Sequence, residues 1–498
     1  MTRRLLAAAL LAAFGAGGSP VLAMDLLQAV QAAAEIDPVV ASSRAALAAT
    51  RERVPQARAA LGPTANANAG ANLNWSDTNR SRSRDWNAQS LGVLASYPLY
   101  RPANREALVQ SELSAQVAEI QLTQARQDLI LRVSAAYFDV LAAQDSLSVV
   151  RAQKQAIEEQ FASARRNFEV GTATITDQQE AQARLDLTRA QEVAIENDLA
   201  VRRALLAQLV GRPVETIHTL RGDVEVRTPE SQLEGDWAQI ARAQNNAVRQ
   251  AELSVEIARR EIERQRFGHQ PTLDAVAQGN YGRSTGASTA ASAVGLQTYS
   301  GLFGLQFSMP LYTGGAVDAR VREAIALQDR SQFDLENARR VAEQGARQTF
   351  LGVRSGLEQV RALSAAERSS QLALESNQLG YQVGVRINID VLNAAQQLFS
   401  TQRDLARARY DVLLNGLRLK NTAGDLTETD VMRVNALLEP PRPPAPKPAA
   451  QPPAVPAPAV PAPPPTAPAP PAAAPRAVPP GGTPALRGGR STQPLAPR

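Results

Sequence analysis

The chain has 498 residues, 44% hydrophobic and 20% charged, with two histidines and no cysteine; disulfides, a thiol nucleophile, thiolate metal sites and a lipid-bearing cysteine are thereby excluded. Its formal net charge is +5, but Arg3, Arg4 and six basic residues beyond position 440 carry that excess. Residues 24–439 hold 45 basic against 48 acidic side chains, so no basic face for nucleic acid is expected on the folded body.

Residues 1–23 read as a secretory signal: Arg3 and Arg4, an apolar run from Leu5 to Phe14 too short to span a bilayer, then glycines and the small Ala23. A helical segment is expected from Leu26 to Ala60. It leads into "TANANAGANLNW" at Thr64, where strand alternation puts Ala65, Ala67, Ala69, Ala71, Leu73 and Trp75 on one face. Asn66, Asn68, Asn72 and Asn74 take the other. A second strand is expected over about 88–100. From Pro102 to Gly171 no Gly or Pro intervenes, which permits one helix of 68 residues, roughly 100 Å long. Leu129, Val133, Ala136, Val140, Ala143, Leu147, Val150, Lys154, Ile157, Phe161, Ala164 and Phe168 step by four and three, a sustained heptad with one polar member. A returning helix follows from Thr176 to Val210.

The same order then recurs. "FEVGTATITDQQEAQ" at Phe168 is echoed by "YQVGVRINIDVLNAAQ" at Tyr381, and "SYPLY" ending at Tyr100 by "SMPLY" ending at Tyr312. Val170-Gly171 matches Val383-Gly384, Asp177 matches Asp390, and Gly211 matches Gly424. Landmarks kept in one order at nearly one shift indicate an internal duplication. The division read from this is a first repeat over 24–211, a connector over 212–236, a second repeat over 237–424, and the end of the body over 425–439. A tail over 440–498 holds 23 of the 33 prolines and is expected to be extended and largely disordered. The second repeat offers a helix from Trp237 to Phe267, strands from Pro271 and Ser300, a long helix from Ala316 to Leu379 and a returning helix from Ile389 to Thr422. Gly345, Gly352 and Gly356 weaken that long helix. Asp177 and Asp390 lie beside the starts of the returning helices, where a carboxylate favours the positive dipole end.

The strands alternate apolar with small polar residues. Phe303, Leu305, Phe307, Met309 and Leu311 oppose Gly304, Gln306 and Ser308, and nine of the 21 aromatics fall within 64–100 and 271–312. A transmembrane β-barrel needs such strands, with aromatics near their ends. Two hairpins decorating a soluble coiled coil are the plainer alternative. Four strands cannot close alone, and lipid tolerates no open edge. Two chains would give eight strands and a filled interior; three give twelve and room for water, which suits the asparagine face.

These residues resemble the TolC family of outer-membrane channel-tunnels. The carriers are the duplication, the "PLY" closing each second strand, "VGTATITDQQEAQARLDL" at Val170 and "YQVGVRINIDVLNAAQQLFSTQRDLARARYDVL" at Tyr381. The resemblance implies an α+β membrane protein: a homotrimeric twelve-stranded outer-membrane barrel, four strands per chain, continued by a periplasmic coiled-coil tunnel. It implies a periplasmic adaptor and an inner-membrane transporter as partners, with export of protein or small molecules. It also implies a periplasmic gate at Thr176, Asp177, Tyr381 and Arg386, in which Arg386 would donate a fork to Asp177; ordinary turn and cap residues are the plainer reading of those positions. A constriction ring is implied at Asp390 and position 393, here Asn393 where the family pattern has an acid. Adaptor-contact turns are implied at Val170, Gly171, Val383 and Gly384, with "VGTAT" lacking the bulkier apolar residue often found after the first glycine.

An enzyme needs a constellation that this sequence does not offer. His218 and His269 are far apart and lack ligand-spaced companions, and "GGTPALRGG" sits in the tail and follows no strand; neither enzyme nor cofactor is expected. The remaining alternative is a trimeric coiled-coil envelope or adhesin-type protein without a channel.

Overall fold

The computed structural model describes residues 23–79, 81–172, 174–222, 233–286 and 296–440. The expected signal through residue 22, the connector over 223–232 and the tail from 441 lie outside these. The first half runs α1 (Leu26–Ile36), α2 (Pro38–Ala59), β1 (Thr64–Thr78), β2 (Ser81–Tyr100), α3 (Pro102–Glu169) and α4 (Ile175–Val210). After a short β3 (Thr219–Leu220) the second half repeats the order with α5 (Glu234–Gln244), α6 (Asn246–Arg266), β4 (Thr272–Gly286), β5 (Leu296–Ser308), α7 (Ala316–Gln382) and α8 (Asn388–Ala423). Helix α9 (Glu428–Asn435) and β6 (Leu438–Glu439) follow.

The expected 26–60 helix is two helices. Asp37 is extended, Pro38 has no N–H to continue a helix, and the Asp37 carboxylate caps the new start by accepting from Val40 N at 2.9 Å. The second half breaks at Asn245, whose side chain accepts from Ala247 N at 2.9 Å. Helix α3 is continuous over 68 residues. Its heptad faces inward at Leu129, Val133, Val140, Ala143, Leu147, Val150, Ile157 and Ala164, all buried. The polar member, Lys154, donates to Glu192 Oε2 on α4 at 2.6 Å, so the stripe tolerates it at the seam between the two helices.

Helix α7 runs 67 residues, through Gly345, Gly352 and Gly356 and on past Gly380. A Cβ on Gly356 would lie 2.7 Å from Val412 Cγ2, and one on Gly345 3.3 Å from Thr422 Cγ2. These two glycines set the close approach of α7 to α8, which offsets their poor helix propensity.

Near the middle of α3 the packing becomes a hub. Tyr137, fully buried, donates to the backbone oxygens of His218 (2.9 Å) and Met24 (3.2 Å). Met24 bridges Ile217, and β3 pairs with β6. The start of the described chain, the connector and its end are thereby tied to one helix. Tyr410 of α8 stacks on Phe138 at 5.9 Å and donates to Asp145 Oδ2 at 2.6 Å.

Candidate functional site

Two surfaces are candidates, the sheet and the far end of the long helices. In the sheet the strand order is β1-β2-β4-β5, antiparallel throughout, so β1 and β5 are its edges. The register sets Asn68, Gly92, Asn280 and Ser300 in one row. A Cβ on Gly92 would sit 2.6 Å from Asn280 Oδ1 and 2.7 Å from Asn68 Oδ1; the bare glycine lets carboxamides from both flanking strands converge over it. Asn66, Asn72, Asn74, Ser90, Gln278 and Gln306 share that face with the apolar Trp86, Leu94, Val276, Leu296 and Leu302. The opposite face carries the alanines of β1, Leu73, Trp75, Leu91, Val93, Phe303, Leu305 and Phe307, with Asp85, Gln89, Arg283 and Gln297 nearer the hairpin ends. Phe303 is 88% exposed, Leu73 87% and Trp75 77%, large apolar side chains that a soluble sheet would hide. Strand β5 ends at Ser308, before the expected Met309–Tyr312, because Pro310 cannot donate to a ladder.

Among the described side chains Asp274 is the one charged group on the polar face. Its carboxylate is nearly buried and accepts a fork from Arg101, Nε to Oδ1 at 2.8 Å and Nη2 to Oδ2 at 2.6 Å. Arg101 lies between β2 and α3, beside the register shift at Pro98/Tyr100. The fork therefore pins the point where sheet becomes helix.

At the other end, α3 and α7 finish in matching turns. Gly171 and Gly384 both adopt φ 77°, the left-handed cap that a glycine takes without Cβ strain. Val170, Val383, Val385 and Ile387 stand exposed around them. Asp177 closes a capping box at the start of α4: its Oδ2 accepts from Thr174 N at 3.0 Å and Thr174 Oγ1 at 2.8 Å. Thr176 is exposed in the same turn. Arg386 pairs at 3.7 Å with Asp390, one turn along its own helix, and the Tyr381 hydroxyl accepts from Asn167 Nδ2 at 3.3 Å. No Arg386–Asp177 fork forms within the chain, since each group has a nearer partner.

Two residues that the sequence reading did not single out hold this end together. Asn388, 1% exposed, donates to the backbone oxygen of Asp177 at 3.2 Å and accepts from Gln160 of α3. It thus ties the starts of α4 and α8 to α3, above a small core of Ile157, Ala164, Leu185 and Leu392. Arg184 of α4 reaches α8, donating to Gln396 Oε1 at 2.7 Å and to Asn393 Oδ1 at 3.3 Å. A helix-start asparagine and one arginine among many carry no pattern that marks them in a sequence.

Residues 29–212 and 237–425 match the family described as outer membrane efflux protein. The chain belongs to the outer membrane efflux protein family. Among its relatives it is 34% identical over 439 residues to the outer membrane protein TolC of Vibrio cholerae, spanning 88% of this chain and 99% of that protein. It is 30% identical to the alkaline protease secretion protein AprF of Pseudomonas aeruginosa, over 83% of this chain and 87% of that protein. The solved structure of the outer membrane protein VceC from Vibrio cholerae shares the fold, with TM-score 0.66 and 18% identity over 80% of this chain and 96% of that one. This efflux-family protein is therefore an outer-membrane channel of secretion or efflux with a periplasmic helical part, and its family is one of transport channels rather than enzymes. No described helix is long and apolar enough to cross a membrane. His269 Nε2 lies 3.1 Å from Asp318, and the described residues contain no group of three metal-ligating side chains.

Proposed function

We propose that three copies of the chain close a twelve-stranded barrel in the outer membrane and continue as a tunnel of helices across the periplasm. The observation that carries this is the sheet: a greasy face turned outward, a polar face behind it whose one charge among the described side chains, Asp274, is paired with Arg101, and two edge strands, β1 and β5, whose outer backbone groups need a further strand. Lipid covers the first face, water the second, and a neighbouring copy each edge. Twelve strands leave the lumen open, whereas eight would fill it with side chains.

An inner-membrane transporter and a periplasmic adaptor deliver substrate to the far end. The exposed Val170, Val383, Val385 and Ile387, held out by the Gly171 and Gly384 turns, are the surface offered to the adaptor. Thr176, Asp177, Tyr381 and Arg386 form the gate, and Asp390 with Asn393 the constriction. On this reading the gate residues make their contacts across chains, where Arg386 exchanges Asp390 for Asp177. The division of the chain at 211 and 237 into two repeats follows the same plan, two hairpins and two helix pairs per copy. The likeness to AprF favours polypeptide among the cargo.

Detergent-solubilised protein should have the mass of three chains, each 53.2 kDa less the signal over residues 1–23, and reconstituted protein should give discrete conductance steps in planar bilayers. A monomer without conductance would end the proposal. Deleting the gene, with parallel assays for a secreted protein and for sensitivity to small toxic compounds, then assigns the cargo.

A further inference from the structure

The charge at the narrow end differs from what two acidic rings would give. On the channel reading, which this inference rests on, the one charge among the described side chains of the sheet's polar face, Asp274, is matched by Arg101. Selection by charge then falls to the helical end. There the acid of the first ring, Asp390, has Arg386 at 3.7 Å within its own chain, a pair that the proposed gate contact across chains releases, and the second ring position is the uncharged Asn393. Asn393 accepts from Arg184, whose other nitrogen is held by Gln396. An aspartate at 393 would neutralise that guanidinium; a carboxamide orients it and leaves its charge standing.

A second observation extends the same field. The groove beside Gln396 is lined by Arg184 and Arg403 together with Gln153, Gln191 and Thr188, and no carboxylate lines it. Neither arginine has an ion-pair partner among the described residues. Of the acids nearest in sequence, Asp186 pairs with Arg189 at 3.4 Å and accepts from Gln182 at 2.9 Å, and neither Glu180, one turn before Arg184, nor Asp404 lines the groove. Threefold repetition places three fixed Arg184 guanidinium groups around one axis, where charges of one sign focus the field of a pore.

We infer that Arg184, presented by Asn393 and Gln396 and reinforced by Arg403, makes the periplasmic constriction anion-accepting and prevents the Asp390 ring from acting as a cation trap. Arg184 is a selectivity-determining residue. The cargo it favours carries negative charge at the leading end.

The test is reversal potential across a planar bilayer under a tenfold KCl gradient, using the full chain. Wild type should pass chloride at least as readily as potassium. Arg184→Gln should move the permeability ratio roughly threefold or more toward potassium, and Arg184→Lys should keep most of the chloride preference. Asn393→Asp, which leaves every arginine in place, should shift the ratio in the same direction as Arg184→Gln by pairing that residue. Conductance steps with a strongly potassium-selective wild type, or a ratio unmoved by both Arg184→Gln and Asn393→Asp, overturn this inference while leaving the channel intact. Absence of any steps from wild type overturns the channel reading and this inference with it.

Discussion

The Arg101–Asp274 fork is the sharpest handle on how sheet and helices are joined. Replacing Arg101 by Met keeps most of the side-chain volume and strands the Asp274 carboxylate, whose side chain is 10% exposed. Breaking one side of a buried pair costs about 3–5 kcal/mol. Arg101 itself is 44% exposed, so water can reach the vacated position, and the lower end, about 3 kcal/mol per chain, applies. Arg101→Lys keeps the charge but loses one of the two bonds, a cost of about 1 kcal/mol. The double change Arg101→Met with Asp274→Leu removes both charges and should return to within about 1 kcal/mol of wild type, since a buried pair is often replaceable by apolar groups. Urea unfolding of the detergent-solubilised protein, followed by tryptophan fluorescence, reports on this because Trp75 and Trp86 both lie in the β1–β2 hairpin. If the double variant loses as much as the two single changes summed, the two residues do not act as a pair, and the junction is held by something other than the fork.

Asn388→Ala leaves Gln160 and the Asp177 carbonyl without their partner and should cost about 1–3 kcal/mol; hydrogen exchange should quicken in the first turns of α4 and α8, and unchanged exchange would remove Asn388 from its tying role. Gly356→Val forces a methyl against Val412 and should cost about 1–3 kcal/mol, read as a lower melting temperature. Asp145 is the pH-sensitive position: burial lifts its carboxyl above the ordinary range, against the opposing Tyr410 hydrogen bond and the Arg409 charge. Because the folded value is raised, its stabilising share is complete below about pH 4 and is lost as pH rises through the folded value. Asp145→Asn should therefore gain stability over wild type at pH 7.5 and lose that advantage toward pH 4; a difference independent of pH would refute the assignment.

Much of the fold is legible because it rests on periodicity. The heptad from Leu129 to Ala164 fixes the buried stripe of α3, and the two-residue alternation of β1 fixes which side of the sheet is greasy. Both signals survive any packing detail, since they follow from 3.6 and 2.0 residues per repeat. The breaks at Asp37 and Asn245 were less visible: a helical pattern runs on either side of each, and only the side-chain caps show that the helix restarts. Gly356 and Gly345 read in sequence as weaknesses of α7, whereas in the structure they are contact points with α8. Propensity records what a residue does to its own helix and is blind to the neighbour it admits.

The far end of the helices was legible by position and not by partnership. Asp177, Tyr381 and Arg386 stand near the ends of the long helices, but sequence separation says nothing of competition; Asp177 and Arg386 have local partners, a cap and Asp390, while Tyr381 meets Asn167 from another helix of the same chain. Local partners have a standing advantage, because a contact four residues away on one helix orders little additional chain. Any contact made across chains must outweigh that, and exposed pairs of this kind contribute on the order of 1 kcal/mol or less. The proposed latch, assembled from such pairs, would therefore stand near balance, and a partner docked on the Val170 and Val383 turns would need only a few kcal/mol of differential affinity to move it. On the proposed gating, the weakness of the individual pairs would make the end of the tunnel switchable, while the buried Asn388 tie would keep the helix starts in place.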